Sequence, residues 1–171
     1  MREIILDTET TGLDPKMGHR LVEIGAVELI NHTPTGVNYQ TYINPERDVD
    51  PGAQEIHGLT NEFLKQHPTF GDVSAEFIDF LSDSTLVIHN APFDLAFINM
   101  ELNRLGEPSI SSERVIDTLV LARRKFPGAQ ANLDALCRRF AIENRHRELH
   151  GALVDAALLA DVYIELIGGK E

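Results

Sequence analysis

The chain has 171 residues, of which 43% are hydrophobic, which fits one compact domain spanning 1–171 with a full core and no segment that reads as a linker. Its formal net charge of −12, from 15 Lys and Arg against 27 Asp and Glu, argues against a protein that coats a duplex, because neutralising many phosphates takes clustered cations. An acidic surface still allows a grip on one or two nucleotides through divalent cations, which invert the local field.

The opening Glu3-Ile4-Ile5-Leu6-Asp7 reads as a short buried strand, too acidic and too short an apolar run for a signal peptide. No apolar stretch reaches membrane-spanning length, so a soluble, cytoplasmic protein without membrane contact is expected. Residues 21–29 alternate as a second strand and 38–43 as a third, ended by Asn44-Pro45, which implies a meander at the start. The spacing of Val73, Phe77, Ile78 and Leu81 predicts a helix over 70–81, followed by a β-branched strand at 85–88 and an amphipathic helix over 93–105. Val115-Ile116 makes a last short strand before helices at 118–125, 133–140 and 151–167. The single cysteine, Cys137, falls at a buried position of the second of these, where it can form neither an internal disulfide nor a cysteine-rich zinc site. Strands first, then strand and helix in alternation, point to an α/β fold with one sheet and helices on both faces.

Three acidic segments carry the chemistry. In Asp7-Thr8-Glu9 the two carboxylates lie two residues apart on a strand, so they share one face at its carboxyl end and repel each other. A hard divalent cation relieves that repulsion, and an oxygen-only ligand set suits Mg²⁺ or Mn²⁺ better than Zn²⁺. The following Thr10-Thr11-Gly12 is expected to form a tight turn whose amides could face a phosphate; alternatively the segment is only a polar strand end. His89-Asn90-Ala91-Pro92-Phe93-Asp94 repeats the pattern, with Asp94 near a helix start after a strand, where it could serve a ligand crevice or merely complement the helix dipole. His89 and Asn90 read as loop-fixing or substrate-edge groups.

In the third segment Asp155 shares a helical stripe with Ala152, Leu159 and Val162, which puts a carboxylate on an apolar face. His150, five residues earlier, would lie about 140° away on a continuous helix, so the two side chains could not converge rigidly. Gly151 is expected to free His150 as part of a mobile loop that swings over the site. A histidine is suited to take a proton from water near neutral pH; a plain surface histidine is the other reading.

Together these residues resemble the DEDDh family of 3′–5′ exonucleases: Asp7, Glu9, Asp94 and Asp155 match its four acids, and His150, five residues before Asp155, matches its histidine. Further segments, Val22-Glu23-Ile24-Gly25-Ala26-Val27, Val49-Asp50-Pro51, Ile56-His57-Gly58-Leu59-Thr60 and Asn132-Leu133-Asp134-Ala135-Leu136-Cys137, look like the proofreading exonuclease subunits of bacterial replicative DNA polymerases. The resemblance runs from about residue 3 to 169. It implies a ribonuclease H-like fold with a central mixed five-stranded sheet, and hydrolysis with two divalent cations, Mg²⁺ or Mn²⁺. It also implies that Asp7 bridges both ions, Glu9 and Asp155 complete one shell, Asp94 holds the other ion, and His150 is the base. Thr8, Glu9, Gly52, His57, Asn90 and Asp155 would face the terminal nucleotide, and Leu13 would wedge between the last two bases.

The function so implied is removal of nucleoside monophosphates from a single-stranded or frayed DNA 3′ end. The few aromatics, with no Trp, offer little stacking platform for a long strand, so only a terminus would be gripped. The resemblance gives such a domain, itself monomeric, a DNA polymerase catalytic subunit as partner, reached through a C-terminal extension that is expected to be absent here. Two other readings stay open: an exoribonuclease trimming short RNA, and a non-catalytic, polymerase-associated nucleic-acid-binding module.

Overall fold

The strand β1 (Arg2–Thr10) is apolar on both sides, Ile4 and Leu6 toward one face and Ile5 toward the other, and so it runs through the middle of the sheet. The computed structural model describes residues 1–144 and 149–168. β1 pairs antiparallel with β2 (Leu21–Ile30), and β2 antiparallel with β3 (Thr33–Tyr42), the expected meander. On its other side β1 pairs parallel with β4 (Thr85–Ile88), and β4 parallel with β5 (Val115–Asp117). The order β3-β2-β1-β4-β5 is the mixed five-stranded sheet expected from the sequence.

Two short helices, α1 (Pro51–His57) and α2 (Asn61–Leu64), follow β3 and were not legible as periodic segments. Then α3 (Phe70–Leu81) precedes β4 and α4 (Ala91–Arg104) follows it; both pack on the face that carries Ile4, Leu6, Ile24, Leu86 and Ile88. After β5 come α5 (Thr118–Lys125), α6 (Leu133–Arg139) and α7 (Ala152–Leu166). α7 lies on the opposite face through Ala156, Leu159, Ala160 and Tyr163 against Ile5, Val27 and Val87. α5 and α6 cover its outer side around Ala122, Leu136, Cys137 and Val162, so Cys137 is core, as read. Residue 169, at the end of the stretch of resemblance, lies outside the described residues.

β1 differs from expectation by continuing through Thr10. Thr10-Thr11-Gly12 is therefore not a separate tight turn, and the Thr11 amide is not presented to a ligand: it donates to the Arg20 carbonyl at 2.9 Å. No described helix is long and apolar enough to cross a membrane.

Candidate active site

β1 outruns its parallel neighbour. Its last partner on β4 is Ile5, opposite Val87, so Asp7 and Glu9 project beyond β4 on the face toward α7. Across the antiparallel ladder Asp7 faces Gly25 and Glu9 faces Glu23. Directly opposed residues share a face, so this end of the sheet gathers three acidic side chains and one position with no side chain.

That missing side chain decides where α7 sits. A Cβ on Gly25 would lie 2.3 Å from the Leu153 nitrogen and 2.4 Å from the Ala152 carbonyl carbon. Only glycine lets the first turn of α7 lie against β2, and that turn carries Asp155, which is 4% exposed. Asp7, Glu9 and Asp155 each bring a carboxylate oxygen within 4.8 Å of the others. The stripe read from sequence is borne out, since Ala152, Leu159 and Val162 are buried along with Asp155.

Asp94 reaches the same neighbourhood from the other side of β1. Its carboxylate accepts a hydrogen bond from the Thr8 hydroxyl at 2.8 Å, and Thr8 alternates with Asp7 and Glu9 along the strand. The start of α4 is fixed by Asp117 on β5, whose two oxygens accept from the Asn90 amide at 3.0 Å and the Ala91 amide at 3.2 Å. Asn90 itself is exposed in the left-handed region, φ 61°. His89 is loop-fixing: its Nε2 donates to the Ala131 carbonyl and its Nδ1 meets the Thr118 hydroxyl, both at 2.8 Å.

Beside the carboxylates opens a cleft of about 570 Å³, walled by Thr8, Glu9 and Leu13 on one side and by Gly52, Ile56 and His57 of α1 on the other. Leu13 is 82% exposed at the rim. Gly52 has open space where a Cβ would be, so nothing in the fold requires glycine there. His57 is buried, with its Nδ1 accepting from the Leu59 amide and its Nε2 donating to the Thr10 carbonyl, each at 3.0 Å. Those bonds fix its tautomer and leave only its ring surface for a ligand. His19 backs the rim: its ring fills the space a Cβ on Gly12 would need, and its nitrogens reach the Thr11 hydroxyl at 2.8 Å and Asp50 at 3.3 Å.

His150 lies just before the N-cap of α7, half-buried, and its amide donates to the Ile56 carbonyl of α1 at 2.8 Å. Gly151 is the N-cap, with φ −112° and ψ 136°, extended backbone that any residue adopts. This conformation does not itself require glycine, and the backbone at His150 is tied to α1.

Burial pushes the Asp7 carboxyl well above the usual carboxylate range, and the charges of Asp94, Glu9 and Asp155 push it further. Asp94 rises to about 7, through burial first, against the lowering bond from Thr8. Burial also raises Glu23 and lowers both His57 and His89. Crowded carboxylates that resist ionisation fit a hard cation: charge among these oxygens would relieve the repulsion, and the donor set is all oxygen. Gly25, Glu23, Asp117 and His19 are the working residues that motif reading missed. Glu23 and Gly25, two residues apart inside the largely apolar run 21–29, were the available signal for two of them.

The exonuclease family model (RNase_T) matches residues 4–163. The DNA polymerase III subunit epsilon of Rickettsia felis is 58% identical over 174 residues, covering 100% of this chain and 76% of that protein. Its Escherichia coli counterpart is 46% identical over 176 residues, covering 99% and 72%. Among solved structures, exonuclease X in complex with 5′ overhanging duplex DNA superposes with a TM-score of 0.75 at 29% identity, covering 96% of this chain and 90% of that one. The nuclease domain of 3′hExo, a DEDDh family member bound to rAMP, superposes with a TM-score of 0.81 at 19% identity, covering 97% and 91%, a likeness of fold.

Proposed function

Because this chain belongs to the exonuclease family and is a metal-dependent 3′–5′ exonuclease similar to DNA polymerase III epsilon subunits, we propose that its reaction centre is the carboxylate cage on β1, α4 and α7. The protein proofreads, removing nucleoside monophosphates from single-stranded or frayed DNA 3′ ends in association with a polymerase catalytic subunit in the cytoplasm. The relatives do not favour the RNA-trimming or non-catalytic readings.

Asp7, Glu9 and Asp155 would hold one Mg²⁺ or Mn²⁺ ion, and Asp94, with Asp7, a second. The chemistry such ions would supply there is a lowered pKa for the attacking water and neutralisation of charge on the phosphate and the leaving 3′ oxygen. His150 would accept a proton from the attacking water. The Thr8 hydroxyl holds Asp94 in place from across the strand. In the cleft, Leu13 would wedge between the last two bases, and the backbone at Gly52 and the ring of His57 would bound the terminal nucleotide; Asn90, expected at the nucleotide's edge, is not among the residues that line the cleft.

The observation that carries this reading is the convergence of three carboxylate oxygens within 4.8 Å from two elements far apart in sequence. Asp7→Ala and Asp155→Ala should each abolish nucleotide release while the fold survives. Digestion of matched DNA and RNA oligomers with paired and mismatched 3′ ends tests substrate and mechanism together. The reading requires preference for DNA and for unpaired ends; release at wild-type rate by either variant would overturn it.

A further inference from the structure

α7 begins without a side-chain cap of its own. Its N-cap is Gly151, which has no side chain to offer the free amides of the first turn. Yet Ala152 and Asp155 of this turn are buried against β2 while Val154 faces solvent, so water cannot easily satisfy the Ala152 amide, and the turn presents Asp155 to the cage.

The missing acceptor comes from another element. Glu23 of β2 is 4% exposed, and its Oε1 accepts from the Ala152 amide at 3.0 Å. Its Oε2 accepts from the Gln40 side chain of β3 at 2.9 Å. Both carboxylate oxygens of Glu23 are thus engaged, although it sits across the ladder from Glu9 on the face of the cage. A negative group at a helix start also complements the dipole there.

We propose that Glu23 is a positioning residue: a cap supplied by the sheet, oriented by Gln40, that seats the first turn of α7 and thereby holds Asp155 at coordinating distance from Asp7 and Glu9. The proposal rests on the reading of those three acids as a metal site. It assigns Glu23 no place among the ligands, and its carboxylate acts as an acceptor of a backbone N–H group.

The test compares Glu23→Ala, Glu23→Gln and Gln40→Ala with the wild type. Amide hydrogen exchange is followed by NMR without metal, Mn²⁺ affinity by calorimetry, and nucleotide release over a Mn²⁺ series. In Glu23→Ala the Ala152 amide should exchange about tenfold faster while the β1 amides keep their protection. Mn²⁺ affinity should fall about 10- to 100-fold, as for groups that orient ligands, with release partly restored at high Mn²⁺. Glu23→Gln keeps an acceptor and should stay within about threefold on every measure. Gln40→Ala, at a partly exposed strand position, should show about a threefold loss at the same amide.

Wild-type exchange and Mn²⁺ affinity in Glu23→Ala would overturn the proposal, and so would a Glu23→Gln loss as deep as that of Glu23→Ala. If Glu23→Ala does not fold, unchanged Ala152 exchange in Gln40→Ala overturns it. Failure of the wild type itself to bind Mn²⁺ would instead bring down the metal-site reading, and the metal-free exchange comparison would still decide the cap.

Discussion

Replacing Gly25 by Ala adds one methyl group where the structure has no room for it. The new carbon would lie 2.3 to 2.5 Å from three backbone atoms of Ala152 and Leu153, against an ordinary contact of 3.4 Å or more, so the start of α7 must retreat by about 1 Å. The obstacle is helix backbone, which cannot rotate aside as a side chain would. Overpacking of this kind costs about 1–3 kcal/mol, a melting point lower by roughly 2–12 °C for a chain of this size. The functional loss should be larger in proportion, since displacement of a reacting group by about 1 Å costs on the order of 100-fold in rate. Asp155 rides on the displaced turn while Asp7 and Glu9 stay on β1. Single-turnover release of the 3′ nucleotide, Mn²⁺ calorimetry and thermal unfolding should be measured together. Gly71→Ala on α3 is the control, because its Cβ meets only ordinary contacts at 3.5 Å and beyond. A Gly25→Ala protein that melts lower but binds Mn²⁺ and releases nucleotide like the wild type would refute the claim that close approach of α7 builds the site.

In the metal-free protein Asp94 keeps its proton up to about pH 7, whereas the unfolded chain releases it near 3.8, so the native state should lose stability as pH climbs between those values. Burial of His57 and His89 acts oppositely, so the measurement is a difference: the melting temperature of Asp94→Asn minus that of the wild type, in chelator, should rise from pH 5 to pH 8, and a flat or falling difference would contradict the raised pKa. His150→Ala should lower turnover far more than Mn²⁺ affinity; equal losses in both would count against a base role. Leu13→Ala, at an 82% exposed position, should leave stability within about 0.5 kcal/mol and weaken release from DNA ends, as steady-state kinetics would show. Asp117→Ala strips acceptors from the Asn90, Ala91 and Leu119 amides and should cost about 1–2 kcal/mol by denaturant titration.

Local pattern was enough to place the chemistry on its elements. Period two put Asp7 and Glu9 on one strand face, and period 3.6 put Asp155 on a buried stripe, because a side chain's direction follows from backbone geometry alone. The short helix α1 was missed since seven residues hold too little periodicity, although Pro51 at its start and Gly58, φ 74°, after its end are the usual punctuation. The backbone angles of Gly151 could not be read from the sequence, because a glycine's freedom is a property of the residue, whereas its φ is fixed by what surrounds it.

The sequence by itself determined which residues carry charge, which faces they occupy and that their mutual repulsion calls for cations. Only the tertiary structure decided how close they come. Thr8 meets Asp94 across 86 positions and Glu23 meets Ala152 across 129, contacts no local pattern encodes. They arise when helices on opposite faces of one sheet pack until backbone stops them, and at Gly25 that limit lies close enough to bring Asp155 beside Asp7 and Glu9.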